Sequence, residues 1–277
     1  MKAGDIIDIY NDELKIYRGE NLTISEYISI HQPTLSEICD YGERDYYSMI
    51  YQLTATPQSM KWQLWDAGID YTEMTPFELF CAVLHKLYPQ EKTSILFGTL
   101  DFTKFEIRQR KEDNSIFLYQ EITVPDDNSK TNSIPGIHTL KNNIDYKHED
   151  VIIDEFTYNM IMDYLRQMHD IKKDEKKPAN ESTKMILIED AREEYERNKN
   201  KEYHSQLKNL ISAMINSEGF KYDHSQVWDM TINAFMDSVK RISKIKNAEI
   251  LLNSGYSGYG ISLKDVDNKQ LDWLGEL

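Results

Sequence analysis

The sequence predicts a mostly helical α+β protein, with a small N-terminal β-sheet, several helices and a β-hairpin followed by a helical C-terminal half. Three observations carry this prediction. Apolar residues recur at helical spacing through most of the chain, cap-and-proline signals open the stripes, and alternation at period two is confined to two short zones. Residues 1–32 alternate weakly through Leu14, Ile16, Leu22, Ile24, Ile28 and Ile30, with Gly19 and Glu20 at a turn, and read as small strands. Helices begin after Pro33. Thr34 and Glu37 stand at capping-box spacing, and Gly42 ends that first helix. The next stripe is Tyr46, Tyr47, Ile50, Tyr51 and Leu53. Pro57 fits the first turn of a third helix carrying Met60, Leu64 and Trp65, which Gly68 stops.

Thr75-Pro76-Phe77-Glu78 combines a cap, a proline at the first helical position and a glutamate at the third. Leu79, Phe80, Val83, Leu84 and Leu87 give the expected buried face of that helix, and Pro89 follows its end. Residues 95–124 read as strands, with Lys104–Gln109 and Ser115–Gln120 flanking a hairpin turn at Arg110–Asn114. Residues 125–150 are polar and contain Pro125, Pro135 and Gly136, which marks a linker between an N-terminal α+β domain, 1–124, and a helical C-terminal domain, 151–277.

In the second half, Phe156, Met160, Ile161, Tyr164, Leu165 and Met168 form one stripe. A Lys-rich linker, 172–183, leads into a highly charged surface helix, Glu181–Lys201. Leu207, Leu210, Ile211, Met214 and Ile215 make an amphipathic stripe ending near Gly219. Asp223 and Gln226 offer another capping box. The last long helix starts near Thr231 and carries Ile232, Phe235, Met236, Val239, Ile242 and Ile245 down one side. The Gly- and Tyr-rich segment from Gly255 to Gly260 reads as a turn, and Leu271, Trp273 and Leu274 read as a tail docked on the core.

Composition bounds the function. Acidic residues outnumber basic ones 47 to 32, a formal charge of -15. Nucleic-acid affinity draws on Lys and Arg neutralising phosphates, so this balance argues against DNA or RNA as partner. No apolar run reaches the roughly 20 residues that span a bilayer, and the first ten residues lack the pattern of a signal peptide, so a cytoplasmic, non-membrane protein is expected. Cys39 and Cys81 sit in apolar helical patterns and read as reduced core thiols.

The search for chemistry comes back empty, and no enzyme, cofactor or metal is expected. Gly255-Tyr256-Ser257-Gly258-Tyr259-Gly260 lacks the lysine of a phosphate loop and the register of a nucleophile elbow. None of the seven histidines forms a His-Glu-x-x-His pair, and His148-Glu149-Asp150 is a metal-capable cluster with no second histidine at ligand spacing. Paired carboxylates are abundant throughout and therefore uninformative. The anomaly is aromatic: 18 tyrosines, with groups at Tyr46 and Tyr47 and at Tyr256 and Tyr259, plus Trp62 and Trp65 on one helix face. Tyr and Trp bury large area at small entropic cost and are enriched at interfaces. Trp62, Trp65, Tyr46, Tyr47, Tyr256, Tyr259 and Trp273 are therefore the candidate interaction residues, with core filling the competing use of the same side chains.

Three stretches resemble a known group when taken together. They are Ile30-His31-Gln32-Pro33-Thr34-Leu35-Ser36-Glu37-Ile38 with Tyr41-Gly42-Glu43 and Tyr46-Tyr47; Leu53-Thr54-Ala55-Thr56-Pro57 leading to Trp62-Gln63-Leu64-Trp65-Asp66; and Val227-Trp228-Asp229-Met230 with Ala234-Phe235-Met236, Val239-Lys240-Arg241-Ile242 and Leu271-Asp272-Trp273. This resembles tail-morphogenesis proteins of bacteriophages and prophages of Gram-positive hosts, of the tail assembly chaperone or baseplate accessory kind. The resemblance implies a non-enzymatic assembly role in the host cytoplasm or the virion. Its implied partners are proteins, such as the tape-measure or other tail proteins, a second copy of the chain included. A structural virion component and an enzyme with a scattered active site are the alternatives. Mimicry of nucleic acid by the acidic surface is disfavoured, because Lys and Arg are interspersed with the acids.

Overall fold

A computed structural model describes residues 13–125, 146–174, 176–257, 260, 262 and 266–275. It is mostly helical α+β, as the sequence predicts, with one two-stranded and one three-stranded antiparallel sheet among the described residues. The chain opens with α1 (Glu13–Tyr17), so Leu14 and Ile16 are helical and not part of a strand. Strands β1 (Leu22–Thr23) and β2 (Ser29–Ile30) then pair in a minimal hairpin.

The predicted caps are formed. Thr34 Oγ1 accepts from the Glu37 amide at 3.2 Å while the Glu37 carboxylate accepts from the Thr34 amide at 2.7 Å, opening α2 (Leu35–Tyr41). Gly42, at φ 102°, occupies backbone space that side chains avoid and redirects the chain into α3 (Glu43–Leu53). A 3-10 turn at Pro57–Met60 feeds α4 (Lys61–Asp66), and Thr75 and Glu78 box the start of α5 (Pro76–Leu79).

Beyond Leu79 the helix widens to a π turn at Phe80–Leu84 and then tightens to a 3-10 turn at His85–Leu87. This change of period rotates the buried face. Val83 and Leu87, expected inside, are exposed, while His85 and Tyr88 are buried in their place. Pro89 then opens α6 (Gln90–Phe97), whose residues 95–97 the sequence reads as the start of a strand zone.

Strands β3 (Glu106–Gln109) and β4 (Ile116–Pro125) form the expected hairpin, with Asn114 at φ 59° in the turn. A third strand, β5 (Tyr146–Ile153), pairs with β4 from Leu118↔Ile153 outwards. Residues 146–150, read as part of a polar linker, therefore belong to this sheet. Residues 126–145 lie outside the described residues.

Helix α7 (Glu155–His169) runs into the core, with Tyr158, Met160, Ile161, Met162, Tyr164, Leu165 and Met168 buried and Phe156, expected inside, exposed. It fixes the N-terminal elements by long-range bonds. Tyr164 Oη donates to the Glu20 carbonyl at 2.7 Å, and the Arg166 guanidinium donates to the Thr54 carbonyl at 2.9 Å. The charged helix α8 (Glu181–Asn198) buries only Lys184 and Ile188. It lies on α4, where Lys184 pairs with Asp70 and Arg192 with Asp66.

The remaining elements are α9 (Gln206–Ile215), a 3-10 turn at Val227–Asp229, the long α10 (Ile232–Tyr256) and a short α11 (Asn268–Leu271). Asp223 and Gln226 exchange the predicted reciprocal bonds before the 3-10 turn. Helix α10 continues through Gly255 and Tyr256, where a turn was expected. The tail expectation also fails: Trp273 is 47% exposed and Leu274 more so, and it is the backbone carbonyl of Trp273 that is held, by Arg241 at 2.7 Å. No helix among the described residues is long and apolar enough to cross a membrane.

Candidate interaction cleft

Helix α9 is joined to the N-terminal elements by a carboxylate. Ser205 caps α9 by accepting from the Lys208 amide at 3.0 Å, and Glu43, in the first turn of α3, accepts from the amides of Gln206 and Leu207, both at 3.0 Å. Amides at a helix start lack intrahelical partners, so a carboxylate there satisfies two of them and meets the positive end of the helix dipole. Burial raises the Glu43 pKa, but the bonds from Leu207, Ser205, Tyr203 and Gln206 outweigh it and hold the group below the usual range. Nearby, the backbone stitches the two halves again: the Leu35 amide donates to Met230, and the Ile232 amide to Pro33, each at 3.0 Å.

Two cavities flank this joint, and Glu43 and Leu207 line both. The larger, about 400 Å³, is walled by Leu35, Ile38, Ile211, Ile215 and Trp228, with Cys39, Lys208 and His224 among its lining. The smaller, about 210 Å³, is walled by Tyr47, Tyr51, His169, Tyr203, Leu210 and Met236. Helix α9 is thus seated between apolar spaces that its own side chains leave open. Such a cleft can take an apolar strip of another polypeptide, with polar groups at its mouth.

The sequence-predicted interaction residues are dispersed. Tyr46 is in the core. Tyr47 lines the smaller cavity. Trp62 stacks obliquely on Tyr195 of α8, ring centroids 5.1 Å apart, and the Lys184 ammonium lies 5.2 Å from the Trp65 ring centre. Both tryptophans are therefore engaged by α8 within the chain. Tyr256 is 79% exposed. Trp273 lies beside α10, its carbonyl held by Arg241, and Tyr259 lies outside the described residues. Sequence reasoning singled out none of the residues of the larger cavity as a site. Its aliphatic members were read as stripe residues, and nothing in a stripe tells which of its members lack a neighbour.

Cys39, expected in the core, is exposed, because it falls one residue beyond the buried Ile38 on α2. Cys81 is buried, and burial pushes its thiol up to about 12. The His148-Glu149-Asp150 cluster lies on β5, where alternation separates neighbours. His148 pairs with Glu121 at 2.7 Å, and Asp150 accepts from the Tyr119 hydroxyl at 2.7 Å. No cluster of metal-ligating side chains occurs among the described residues. Another opening, about 1020 Å³, lies between the β2 region, α6 and β4. There His31 bridges Asn21 Oδ1 and the Glu37 carboxylate, each at 3.1 Å, and that carboxylate is already spent on the Thr34 cap.

Residues 198–277 match the family model described as the YomV second domain. YomV is a protein of a Bacillus prophage region, and the match points to a phage-derived chain. No curated protein and no solved structure matches. The matched stretch holds α9, α10 and α11, so the larger cavity lies where it meets α2 and α3.

Proposed function

We propose that this chain is a non-enzymatic, phage-derived protein that binds a helical client during tail morphogenesis, the client being the tape-measure protein, whose apolar stripe it covers in the cleft beside α9. The observation that carries the reading is the cleft itself, where the half-buried Ile215 and Trp228 lie over the buried Leu35, Ile38 and Ile211 at a joint fixed by Glu43. An amphipathic helix offers the complementary shape, with apolar side chains at every third or fourth position entering the cavity. A net charge of -15 keeps the chain soluble and favours a client whose apolar stripe is flanked by Lys or Arg. Such a role places the protein in the cytoplasm of the bacterial host. The resemblance to tail-morphogenesis proteins favours the same reading, and the prophage-region match supports its phage origin.

Cys39 supplies the test. It stands exposed at the cleft, whereas Cys81 is buried and serves as an internal control. Co-expression with the tape-measure protein encoded alongside it is expected to keep that client soluble and to slow alkylation of Cys39. Ile215→Lys, at the cleft wall, is expected to abolish both effects. A client that stays insoluble, with Cys39 alkylated at the same rate as in the free chain, overturns the reading.

A further inference from the structure

A second surface is built differently from the cleft. The chain is acidic as a whole, yet Lys240, Arg241, Lys244 and Lys246 follow one another on α10, whose acids are Asp237 and Glu249. A groove of about 760 Å³ runs beside them between the end of α7, α10 and α11. Lys172, Lys240, Lys244 and Lys269 line it, and among the described residues Asp170 is its only carboxylate, paired with Lys240 at 2.6 Å. Its apolar strip is Leu251 and Ile250, the latter 65% exposed. Lys172 and Lys269 beside an aliphatic strip suit a segment that carries acids and apolar side chains on one face.

Helix α8 is such a segment. Its inner face is taken up by α4 through Lys184, Ile188, Arg192 and Tyr195. Its outer face shows Met185 and Ile186, 43% and 61% exposed, followed by Glu189, Asp190, Glu193 and Glu194. Spacing of three and four residues joins these into one continuous strip, apolar at its N-terminal end and acidic beyond.

We propose that a second copy of this chain docks the outer face of its α8 into the groove at Lys172 and Lys269. The aliphatic pair meets Ile250 and Leu251, and the carboxylates meet the lysines. The two surfaces differ, so the contact is head-to-tail, and repetition gives a ring or an open fibre and not a twofold dimer. The net charge of -15 on the whole chain repels a long polyanion, and the exposed Ile250 gains nothing from a phosphate backbone. A protein helix is therefore favoured over nucleic acid.

The test uses the full chain and two exposed charge reversals on each surface. Sedimentation at about 50 mM salt is expected to show mass rising with protein concentration, and at about 500 mM salt a monomer. The pair Lys172→Glu/Lys269→Glu and the pair Glu193→Lys/Glu194→Lys are each expected to weaken association about tenfold or more, with unchanged circular dichroism. Mixing the two variants restores association, because each then supplies the surface the other needs. A wild-type chain that stays monomeric at low salt overturns the proposal, as do variants that assemble like wild type or a mixture that does not recover. Co-purifying nucleic acid that depends on Lys172 and Lys269, with the stripped protein monomeric, also overturns it and assigns the groove to a polyanion.

Discussion

The Tyr46 hydroxyl lies 2.6 Å from Nε2 of His169, joining α3 to the last turn of α7 across 123 positions of sequence. On the other side of the ring, His169 Nδ1 lies 2.7 Å from the Leu165 carbonyl and donates to it. Nε2 is therefore the acceptor, Tyr46 the donor, and the imidazole neutral. Burial disfavours the charged ring and lowers its pKa to about 4. Burial also raises the Tyr46 hydroxyl far above its ordinary value.

Acid should act on this pair. Unfolded histidine takes up a proton near pH 6.5, whereas the folded ring resists until about pH 4. The unfolded state binds more protons in that window, so the contribution is complete above about pH 6.5 and is lost as pH falls through 4. Its full size is about 3 kcal/mol. Denaturant midpoints measured from pH 7 to pH 4 should fall accordingly, and His169→Leu should flatten the curve over that range. Tyr46→Phe leaves Nε2 buried without a donor and should cost about 1–3 kcal/mol at pH 7. An unchanged pH slope in His169→Leu would show that other groups govern the acid response.

The ion pair holding α8 should be separable from the fold. The Lys184 ammonium binds Asp70 and Glu181, and its bond to Asp70 holds that carboxyl down at about 2. This carboxylate therefore stabilises the fold at pH values above its unfolded pKa, about 3.9, and the contribution is lost as pH falls towards 2. Asp70→Asn should lower Tm more than Lys184→Met, because it leaves a poorly solvated ammonium short of a partner while methionine keeps the packing on Trp65. Tryptophan emission should shift to the red in Asp70→Asn as α8 loosens from Trp62 and Trp65. Equal Tm losses with unchanged emission would dissociate α8 from this pair.

Phe235 reads as a stripe residue of the last helix and Trp62 as an interaction candidate with core filling as its competing use, and the structure separates them. Phe235 is fully buried at the start of α10, whereas Trp62 is half-buried under Tyr195. Phe235→Ala should cost about 3–5 kcal/mol by urea unfolding. Trp62→Ala should cost less, about 1–2 kcal/mol, because part of its ring is already in water. Equal losses would mean that α8 covers Trp62 more completely than this packing allows.

The contrast explains what was legible in the sequence. Local chemistry was: the Thr34–Glu37, Thr75–Glu78 and Asp223–Gln226 caps form as read, because each needs only residues three apart. Helical phase was less so. The π turn at Phe80–Leu84 moved the buried face from Val83 and Leu87 to His85 and Tyr88, and a fixed period of 3.6 cannot register that. Strand β5 was hidden because its polar residues His148 and Asp150 find partners only across the ladder, in Glu121 and Tyr119. The cleft was illegible because openness is a property of what two helices leave unfilled. Ile211 and Ile215 look the same in sequence whether or not a neighbour covers them.

Gly19 makes the last prediction. Its φ of +84° is strained for any side chain, and a Cβ there would lie 2.9 Å from Cγ2 of Thr231, the residue that caps α10. The same turn offers the Glu20 carbonyl to Tyr164, and the Ile16 carbonyl to Gln32 at 2.8 Å. Gly19→Ala therefore combines left-handed strain with a clash against a β-branched side chain on a helix start, a position that cannot swing aside. It should destabilise by about 1–3 kcal/mol. Thr231→Ser removes Cγ2, and in the double variant it should recover the clash and leave the strain. Additive losses in that cycle would show that Gly19 is required for its backbone angle alone. A positive coupling would show that the N-terminal turn and the start of α10 are packed to the limit of glycine.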